Sequence, residues 1–306
     1  MITFSKFGKH GNLGNQLHQL ASLIGFSEKY HCGLVLPEWK YAAYFNGFPK
    51  QAVIKTDLLV EEPYYHFTPE FWDQYATEFQ TQNADILGWL QTEKYWQHSK
   101  KKVHEALSFK KEFLFKTKEK FSKAFTKTTI AVSIRRGDFV TNPNHFLLPL
   151  DFYLNALVEY FPHYKDHNIL VFSDDMDYCK TEIKSLPNIF FAFGLNGIEQ
   201  LCLMSLCDHF IISNSTFSWW GAMLGEKEYS KIIRSPYYIE GELKAKLNIK
   251  DYYPERWISY DHVGKSNDPG RLRYSYLSRL FTGLKSKSKS VRKSIYNKML
   301  STISKK

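Results

Sequence analysis

The sequence predicts an α/β fold with parallel, doubly wound sheets, and three observations lead to this expectation. Short apolar runs rich in β-branched residues alternate with stretches of helical periodicity. Turns rich in glycine, serine or charged residues separate several of these runs from the helices that follow them. The length of 306 residues fits two such α/β halves. Strand, turn and helix repeated in this order are typical of a parallel sheet covered by helices on both faces.

The first expected element is a strand near 1–7 that passes through a glycine turn into a helix. Gly11 and Gly14 suit a tight turn whose free backbone N–H groups, at the start of the helix, could face a ligand. Asn15 and Gln16 follow, and their amides suit sugar hydroxyls because they both donate and accept. The spacing departs from the dinucleotide pattern GxGxxG, and a helix N-cap with a glycine turn explains the segment slightly better than a ligand site does.

The rest of the N-terminal half carries weaker signals. Residues 45–79 are rich in aromatics and prolines without clear periodicity, which fits a carbohydrate-binding surface or, more simply, irregular core and loops. A strand near 86–90 runs into a polar loop, and the lysine-rich stretch 100–127 predicts one or two amphipathic helices. We place a domain boundary near 126.

The C-terminal half begins with a buried strand that ends in two arginines. The apolar run at 130–134 predicts the strand, and Arg135 and Arg136 would stand at its carboxyl end, where open α/β sheets bind ligands. A guanidinium matches phosphate oxygens bidentately, and Asp138 can hold one arginine in place. The turn therefore predicts a diphosphate site, although a surface turn with an Arg–Asp pair fits the segment alone equally well.

Strands and helices alternate after this turn. Asp175 and Asp177 follow one expected strand and could hold a divalent ion that bridges a nucleotide-sugar diphosphate. We favour helix capping or a nucleoside contact, because the arginines already supply a counter-charge. The expected strands lie at 168–172, 189–193, 210–212 and 232–233, and the expected helices at 151–161 and 197–207.

A second phosphate-binding surface is expected at 213–222, where four hydroxyls and an amide occupy another strand-to-helix turn. Its hydroxyl groups belong to Ser213, Ser215, Thr216 and Ser218. The two tryptophans that follow, Trp219 and Trp220, are expected to pack inside the protein rather than contact a ligand.

The distribution of charge along the chain bears on the possible partners of the protein. Basic residues exceed acidic ones by ten, but eleven of them lie in 271–306, which leaves 30 basic against 31 acidic residues in 1–270. A nearly neutral body without a recognised DNA- or RNA-binding motif argues against a nucleic-acid partner.

The four cysteines lack metal or secreted-disulfide spacing, and neither a long apolar run nor a signal sequence is present. We therefore expect a cytoplasmic protein.

Five segments together resemble the α-1,2-fucosyltransferases of glycosyltransferase family 11, inverting enzymes that move fucose from GDP-fucose to O2 of galactose. The segments occur in the family's order and cover most of 8–236, and the last is long and distinctive. They are GNLGNQLHQLA at 11–21, GWLQTEKYW at 88–96, SIRRGDFV at 133–140, FSDDMDYCK at 172–180 and LMSLCDHFIISNSTFSWWGAML at 203–224.

The resemblance implies a GT-B architecture, in which two Rossmann-like lobes with parallel sheets face each other across a cleft. We expect an acceptor-side lobe at 1–126, a GDP-fucose-binding lobe at 127–265 and a basic helical tail at 266–306. The implied activity is that of a galactoside α-1,2-fucosyltransferase with GDP-fucose as donor and no metal or other cofactor, acting in bacterial surface-polysaccharide (O-antigen) synthesis.

The resemblance also implies roles for residues at matching positions. Arg135 and Arg136 match the arginine pair expected to bind the GDP diphosphate, and Asp138 matches the acid that closes this motif. With Asn15 they form the expected catalytic set. The other donor-side positions are Asp174, Asp175, Ser215, Thr216 and Ser218, and the cleft or acceptor-side positions are Gly14, Asn15, Gln16 and Glu93.

The sequence departs from the family pattern in two segments, and the catalytic base stays unassigned. Ser133 stands where the family usually has histidine, and Leu17-His18-Gln19 stands where it usually has Met-Phe-Gln. Fucosyl transfer builds negative charge on the leaving GDP, which preorganised arginines stabilise. The acceptor hydroxyl must also lose a proton. We hypothesise that this step needs no strongly placed carboxylate and that Asn15 orients the acceptor.

The tail predicts a different kind of contact. Leu277, Leu280, Phe281 and Leu284 follow helical spacing among basic and serine residues. A basic amphipathic helix binds anionic membrane surfaces, which would place the enzyme on the inner membrane face beside a lipid-linked acceptor. A solvated tail is the alternative of equal weight.

Two other functions stay open from sequence alone. A metal-dependent nucleotide-sugar transferase would use Asp175 and Asp177, and chelation would abolish its activity. A carbohydrate-binding protein without catalysis would explain the aromatic residues but would leave the arginine turn without a role.

Overall fold

The structure, a computed structural model, describes residues 1–63, 67–184, 186–263 and 272, and its strands form two parallel sheets. The strands are β1 (Ile2–Thr3), β2 (Leu58–Glu61), β3 (Ala84–Leu87), β4 (Thr129–Ile134), β5 (Asn168–Ser173), β6 (Ile189–Phe191), β7 (His209–Ile212), β8 (Ile232–Arg234) and β9 (Ile258–Ser259). The first sheet has the order β1-β3-β2, and the second has the order β6-β5-β4-β7-β8-β9.

Helices connect and cover the strands, so the predicted parallel α/β organisation is confirmed. The lysine-rich stretch after the first sheet forms two helices, as its spacing predicted. The helices are α1 (Leu13–Lys29), α2 (Ala76–Thr81), α3 (Lys100–Ala106), α4 (Lys111–Glu119), α5 (Leu150–Tyr160), α6 (Met176–Glu182), α7 (Gly197–Met204), α8 (Thr216–Gly225) and α9 (Gly241–Lys244).

The strand β4 organises the second sheet. Its neighbours are β5 on one side and β7 on the other. The strands β5 and β6 therefore extend the sheet from β4 in one direction, and the strands from β7 onward extend it in the other. Alternate residues of β4 enter two different hydrophobic clusters: Ala131 faces one, and Ile130, Val132 and Ile134 face the other. Both faces are therefore buried, and the carboxyl end of β4 is the switch point at which sheets of this kind bind ligands.

The helix α1 joins the two sheets. From Leu13 to Phe26 every residue except Asn15 is buried, because the helix packs against the first sheet's connections on one side and α8 on the other. The ring of His18 lies 4.5 Å from Trp219 and 5.3 Å from Trp220, centroid to centroid. Burial lowers the pKa of His18 to about 3, so its ring packs in the neutral form. Both tryptophans are fully buried, as predicted.

Two predictions about the chain's division stay predictions. The two sheets fall on either side of position 126, yet one hydrophobic cluster runs from Ile2 to Trp257 and includes residues of both. The expected tail at 266–306 lies outside the described residues, apart from Leu272, which is buried and whose carbonyl accepts the Lys184 N–H (2.7 Å). None of the helices in the described ranges is long and apolar enough to cross a membrane.

Candidate active site between the two sheets

A cavity of about 520 Å³ lies between the two halves of the chain, at the carboxyl end of β4. The N-terminal half contributes the start of α1 and the loop after β3, and the C-terminal half contributes the turns after β4 and β7. A smaller cavity of about 190 Å³ adjoins it, and the two share Arg135, Gly197, Ser215 and Phe217 in their walls. The larger wall includes Asn12, Gly14, Asn15, Tyr41, Trp89, Gln91, Arg135, Asp138, Asn144, His145, Asn214, Ser215, Thr216 and Tyr238.

Arg135 lines both cavities and is held by two carboxylates. Its Nη1 donates to Oδ2 of Asp174 (2.8 Å), and its Nη2 donates to Oδ1 of Asp138. The other oxygen of Asp174 accepts the backbone N–H of Arg136 (2.9 Å). These charge-assisted bonds fix the plane of the guanidinium beside the cavity. The sequence predicted this arrangement for Asp138 but not the bond from Asp174.

Arg136 lines neither cavity. Its Nε donates to Oδ2 of Asp175 (2.9 Å), and its guanidinium carbon lies 3.6 Å from the centroid of the Tyr178 ring. The strand β4 ends at Ile134, and the backbone at Arg136 (φ −132°, ψ −73°) has left the extended conformation before the turn that follows. The geometry therefore brings Arg135 to the expected diphosphate site and places Arg136 behind it.

The acids after β5 serve the arginines and the next helix. Asp175 is the N-cap of α6, where its Oδ1 accepts the N–H of Tyr178 (3.2 Å), and its second oxygen accepts from Arg136. Asp177 is exposed in the first turn of the same helix. Among the described residues, no group of three or more His, Cys, Asp or Glu side chains is arranged to hold a metal ion. Capping is the role that the contacts of Asp175 support.

Four serines form a connected cluster at the back of the smaller cavity. The hydroxyl of Ser218 lies 2.7 Å from those of Ser133 and Ser213 and 3.1 Å from that of Ser215. Ser215 also caps α8 by accepting the N–H of Ser218 (3.1 Å). The hydroxyl of Ser218 is thus used within the cluster, whereas Ser215 and Thr216 border the larger cavity. Ser133, which replaces the family's usual histidine, belongs to this cluster.

The N-termini of two helices converge on the larger cavity. α1 and α8 touch at Gly14, where an added Cβ would lie 2.5 Å from the backbone nitrogen of Phe217 and 2.6 Å from Oγ1 of Thr216. Only glycine permits this approach. Helix N-termini present free N–H groups and partial positive charge, so together with Arg135 they suit an anionic ligand.

A hydrogen-bonded bridge crosses the cavity from Asn15. The Nε2 of Gln91 donates to Oδ1 of Asn15 (2.9 Å), and the hydroxyl of Tyr238 donates to Oε1 of Gln91 (3.2 Å). The Nδ2 group of Asn15 makes no hydrogen bond with the part of the chain that the structure describes, which leaves it able to donate to a ligand. Gln91 lies in a segment that the sequence singled out, but nothing in the pattern pointed to Tyr238.

Gln16 and Glu93, both expected at the cleft, lie behind its wall. The amide of buried Gln16 donates to the carbonyls of Gly8 (3.1 Å) and Gly11 (2.8 Å) and so secures the glycine turn. Both oxygens of Glu93 accept from Nη1 of Arg256 (2.7 and 2.9 Å), which links the loop after β3 to the C-terminal half. Neither side chain borders the two cavities, so their contacts support the site from outside.

His145 is a cavity residue that the sequence analysis missed, since a single histidine in a loop carries no pattern. Its ring stacks on Phe139 (4.2 Å between centroids), and neither ring nitrogen bonds to any of the described residues. Burial lowers the pKa of His145 below its usual value; nearby Asp138 opposes this shift and Arg135 adds to it. The imidazole is therefore neutral at pH 7 and able to accept a proton.

Known proteins resemble this chain in sequence and in fold. In sequence, it is 36% identical over 142 residues to the Escherichia coli O-antigen biosynthesis glycosyltransferase WbnK, a match that covers 43% of this chain and only 44% of that relative. It is 26% identical over 263 residues to an Escherichia coli α-1,2-colitosyltransferase, covering 83% of this chain and 85% of the relative.

A solved structure shows the same architecture. The crystal structure of POFUT1 in complex with GDP-fucose superimposes with a TM-score of 0.50 at 15% identity, over 76% of this chain and 97% of that one. At 15% identity this similarity bears on the fold alone, and it confirms the predicted GT-B type of two-sheet architecture. The model of glycosyl transferase family 11 matches residues 7–261. The chain therefore belongs to glycosyl transferase family 11.

Proposed function

We propose that this protein transfers L-fucose from GDP-fucose to O2 of a terminal β-galactose, with inversion and without a metal, in the synthesis of a bacterial surface polysaccharide. The observation that carries the proposal is Arg135, fixed by two acids at the switch point of the second sheet and facing the same cavity as the start of α8. The O-antigen name of one relative supports the pathway.

On the donor side, the residues suit a leaving diphosphate. As the bond from the sugar C1 to the phosphate oxygen breaks, its electron pair passes to GDP. Arg135 and the N–H groups at the start of α8 would stabilise this charge, with Ser215 and Thr216 as further donors. Groups held in place before the reaction are effective because they need no reorganisation during it. Asp174 and Asp175 would act through the arginines that they hold.

On the acceptor side, the wall suits an uncharged sugar. Trp89, Tyr41 and Tyr238 offer aromatic faces, and Asn15 offers a free amide donor. The carboxylate of Asp138 is already paired with Arg135, so this wall lacks an unpaired charge of either sign among the described residues. Asn15 would orient the galactose hydroxyl toward C1 of the donor.

His145 is our candidate for the proton acceptor. Its neutral imidazole is half-buried in the cavity wall with both ring nitrogens unbonded to described residues. In the proposed step, the acceptor O2 forms a bond to C1 while its proton passes to a ring nitrogen of His145, and then to water. This assignment agrees with the expectation that no strongly placed carboxylate is needed.

The donor sugar has one specific competitor. A relative is named as an α-1,2-colitosyltransferase, and colitose is fucose without one ring hydroxyl. A site that hydrogen-bonds this hydroxyl rejects the deoxy sugar, because its polar groups would be left unpaired. The test compares kcat/KM for GDP-fucose and GDP-colitose with lactose as acceptor, followed by linkage analysis of the product. A preference for GDP-colitose, or a linkage other than α-1,2, would refute the proposal.

Contact with an anionic membrane through 271–306 forms part of the proposal, since a lipid-linked acceptor would lie at the inner membrane face of a cytoplasmic enzyme. Deletion of this segment should release the protein from vesicles that contain anionic lipid. Neutral vesicles serve as the control. Unchanged binding of the truncated protein to anionic vesicles would refute the anchor.

A further inference from the structure

The loop after β3 holds two side chains at the cavity wall in an unusual conformation. Trp89 and Gln91 line the cavity, and Leu90 between them has a left-handed φ of 54°. A residue other than glycine rarely adopts this region, because its Cβ crowds the following carbonyl oxygen, so the conformation persists only where other contacts enforce it. The positions of Trp89 and Gln91 at the cavity wall therefore depend on the contacts that stabilise this loop.

Glu62, which directly follows β2, provides those contacts. Its Oε2 accepts the backbone N–H groups of Trp89 (2.9 Å) and Leu90 (2.8 Å), and its Oε1 accepts the hydroxyl of Tyr95 (2.9 Å). A Cβ at Gly88 would fall 2.6 Å from Cβ of Glu62 and 2.8 Å from its Oε2. The carboxyl group is therefore packed directly beneath the loop, and the sharp turn depends on it.

The loop also makes hydrogen bonds to both halves of the chain across the cavity. Gln91 bonds Asn15 from the N-terminal half and Tyr238 from the C-terminal half, at 2.9 and 3.2 Å. On the other side of the loop, the ring of His10 lies 4.3 Å from that of Trp89, centroid to centroid. A shift of the loop would therefore move both the aromatic face and the amide bridge that border the acceptor side.

We propose that Glu62 is a positioning residue for the acceptor sugar: its ionised carboxylate fixes the loop 88–91 so that Trp89 and Gln91 face the galactoside. The inference rests on the proposed function for the identity of the sugar, but its structural part does not. Glu62 itself lines neither cavity, so it acts through the loop.

The positioning should depend on pH. Burial raises the pKa of Glu62 to about 7, although the two amides and the Tyr95 hydroxyl that face it stabilise the charged form. Beyond the loop, burial and the nearby charge of Lys6 lower the pKa of His10, which favours its neutral form. As pH falls through about 7, the carboxylate gains a proton and loses acceptor capacity, so the KM for the acceptor should rise while that for GDP-fucose stays flat.

The structural part is tested by hydrogen exchange of the full-length protein without substrate. Both N–H groups donate to one oxygen, so Glu62→Gln replaces their charged acceptor with a neutral amide oxygen that forms weaker bonds, and the amides of Trp89 and Leu90 should exchange about ten- to a hundredfold faster. Glu61→Gln, at the exposed neighbouring position, is the matched control and should exchange as the wild type does. Unchanged exchange at both amides in Glu62→Gln would overturn the inference.

The functional part is tested by steady-state kinetics between pH 6 and pH 8 with lactose. Glu62→Gln should raise the acceptor KM about ten- to a hundredfold, leave the GDP-fucose KM unchanged and remove the pH dependence near 7. If that variant does not fold, Tyr95→Phe keeps both backbone bonds and removes one donor to the carboxylate, which should move the midpoint to higher pH. An equal rise in both KM values, or a midpoint unmoved in Tyr95→Phe, would contradict the positioning role. Wild-type protein without any transfer would refute the proposed function instead, and the exchange result would still stand.

Discussion

Replacement of Gly14 with alanine tests whether the junction of α1 and α8 sets the geometry of the site. The new Cβ would lie 2.5 Å from the backbone nitrogen of Phe217 and 2.5 Å from the carbonyl carbon of Thr216, whereas ordinary contact begins at 3.4 Å. Both are backbone atoms of the first turn of α8 and cannot rotate away. The helix starts must separate by about 0.9 Å to relieve the overlap.

The expected magnitudes separate stability from activity. Overpacking costs about 1–3 kcal/mol, and alanine recovers about 1 kcal/mol over glycine within a helix. The net loss in the free energy of unfolding is thus about 0–2 kcal/mol, and the variant should fold. Activity is more sensitive, because a displacement of nearly 1 Å between Asn15 and Thr216 costs about 10²-fold in kcat.

The assay measures kcat by GDP release and stability by thermal unfolding. Gly33→Ala is the control, since this glycine is exposed and an added Cβ meets only the flexible side chain of Met1. It should match the wild type in both measurements. A folded Gly14→Ala protein whose kcat stayed within about twofold of the wild type would refute the reasoning.

Three further substitutions probe single residues of the cavity. Arg135→Lys keeps the charge but loses the planar fork held by Asp138 and Asp174, so kcat should fall by about 10²–10³ with little change in Tm; an unchanged kcat would remove Arg135 from the reaction. Asn15→Ala should lower both the transfer rate and acceptor affinity while GDP binding is retained, and full rate and affinity would end its proposed role. His145→Asn should lower kcat by about 10²–10⁴. In the wild type, protonation of His145 should reduce kcat at a pH below 6.5. If kcat of the variant fell in the same way at low pH, His145 would be excluded as the base.

Five strands of the second sheet, β4 to β8, were predictable because they are largely buried, and continuous apolar runs such as 130–134 then mark each of them. The edge strand β9 (Ile258–Ser259), whose Ser259 is exposed, was not predicted. The first sheet was harder. β2 (Leu58–Glu61) is an edge strand whose Leu59 is exposed, so its sequence resembles the irregular stretch around it. The strand expected at 1–7 is only Ile2–Thr3, because the chain turns where the N–H of Phe7 bonds the carbonyl of Phe4 (2.9 Å).

The candidate site was predictable where it depends on one sheet edge. Parallel neighbours end together, so the turns after β4, β5 and β7 had to meet, and the structure places Arg135, Asp174 and Ser215 there. Contacts between the halves were not predictable. Gln91 meets Tyr238 across 147 positions of sequence, and no local pattern encodes such a pair. The side that each arginine faces also depends on the backbone after β4, which the sequence does not specify.

The central claim is tested most directly by GDP release from GDP-fucose in excess EDTA, with and without lactose or N-acetyllactosamine. The account predicts release that the acceptor stimulates and that the chelator leaves intact, with an α-1,2-fucosylated product. Release that returns only when manganese is added would contradict it and would favour a metal-dependent transferase that uses Asp175 and Asp177.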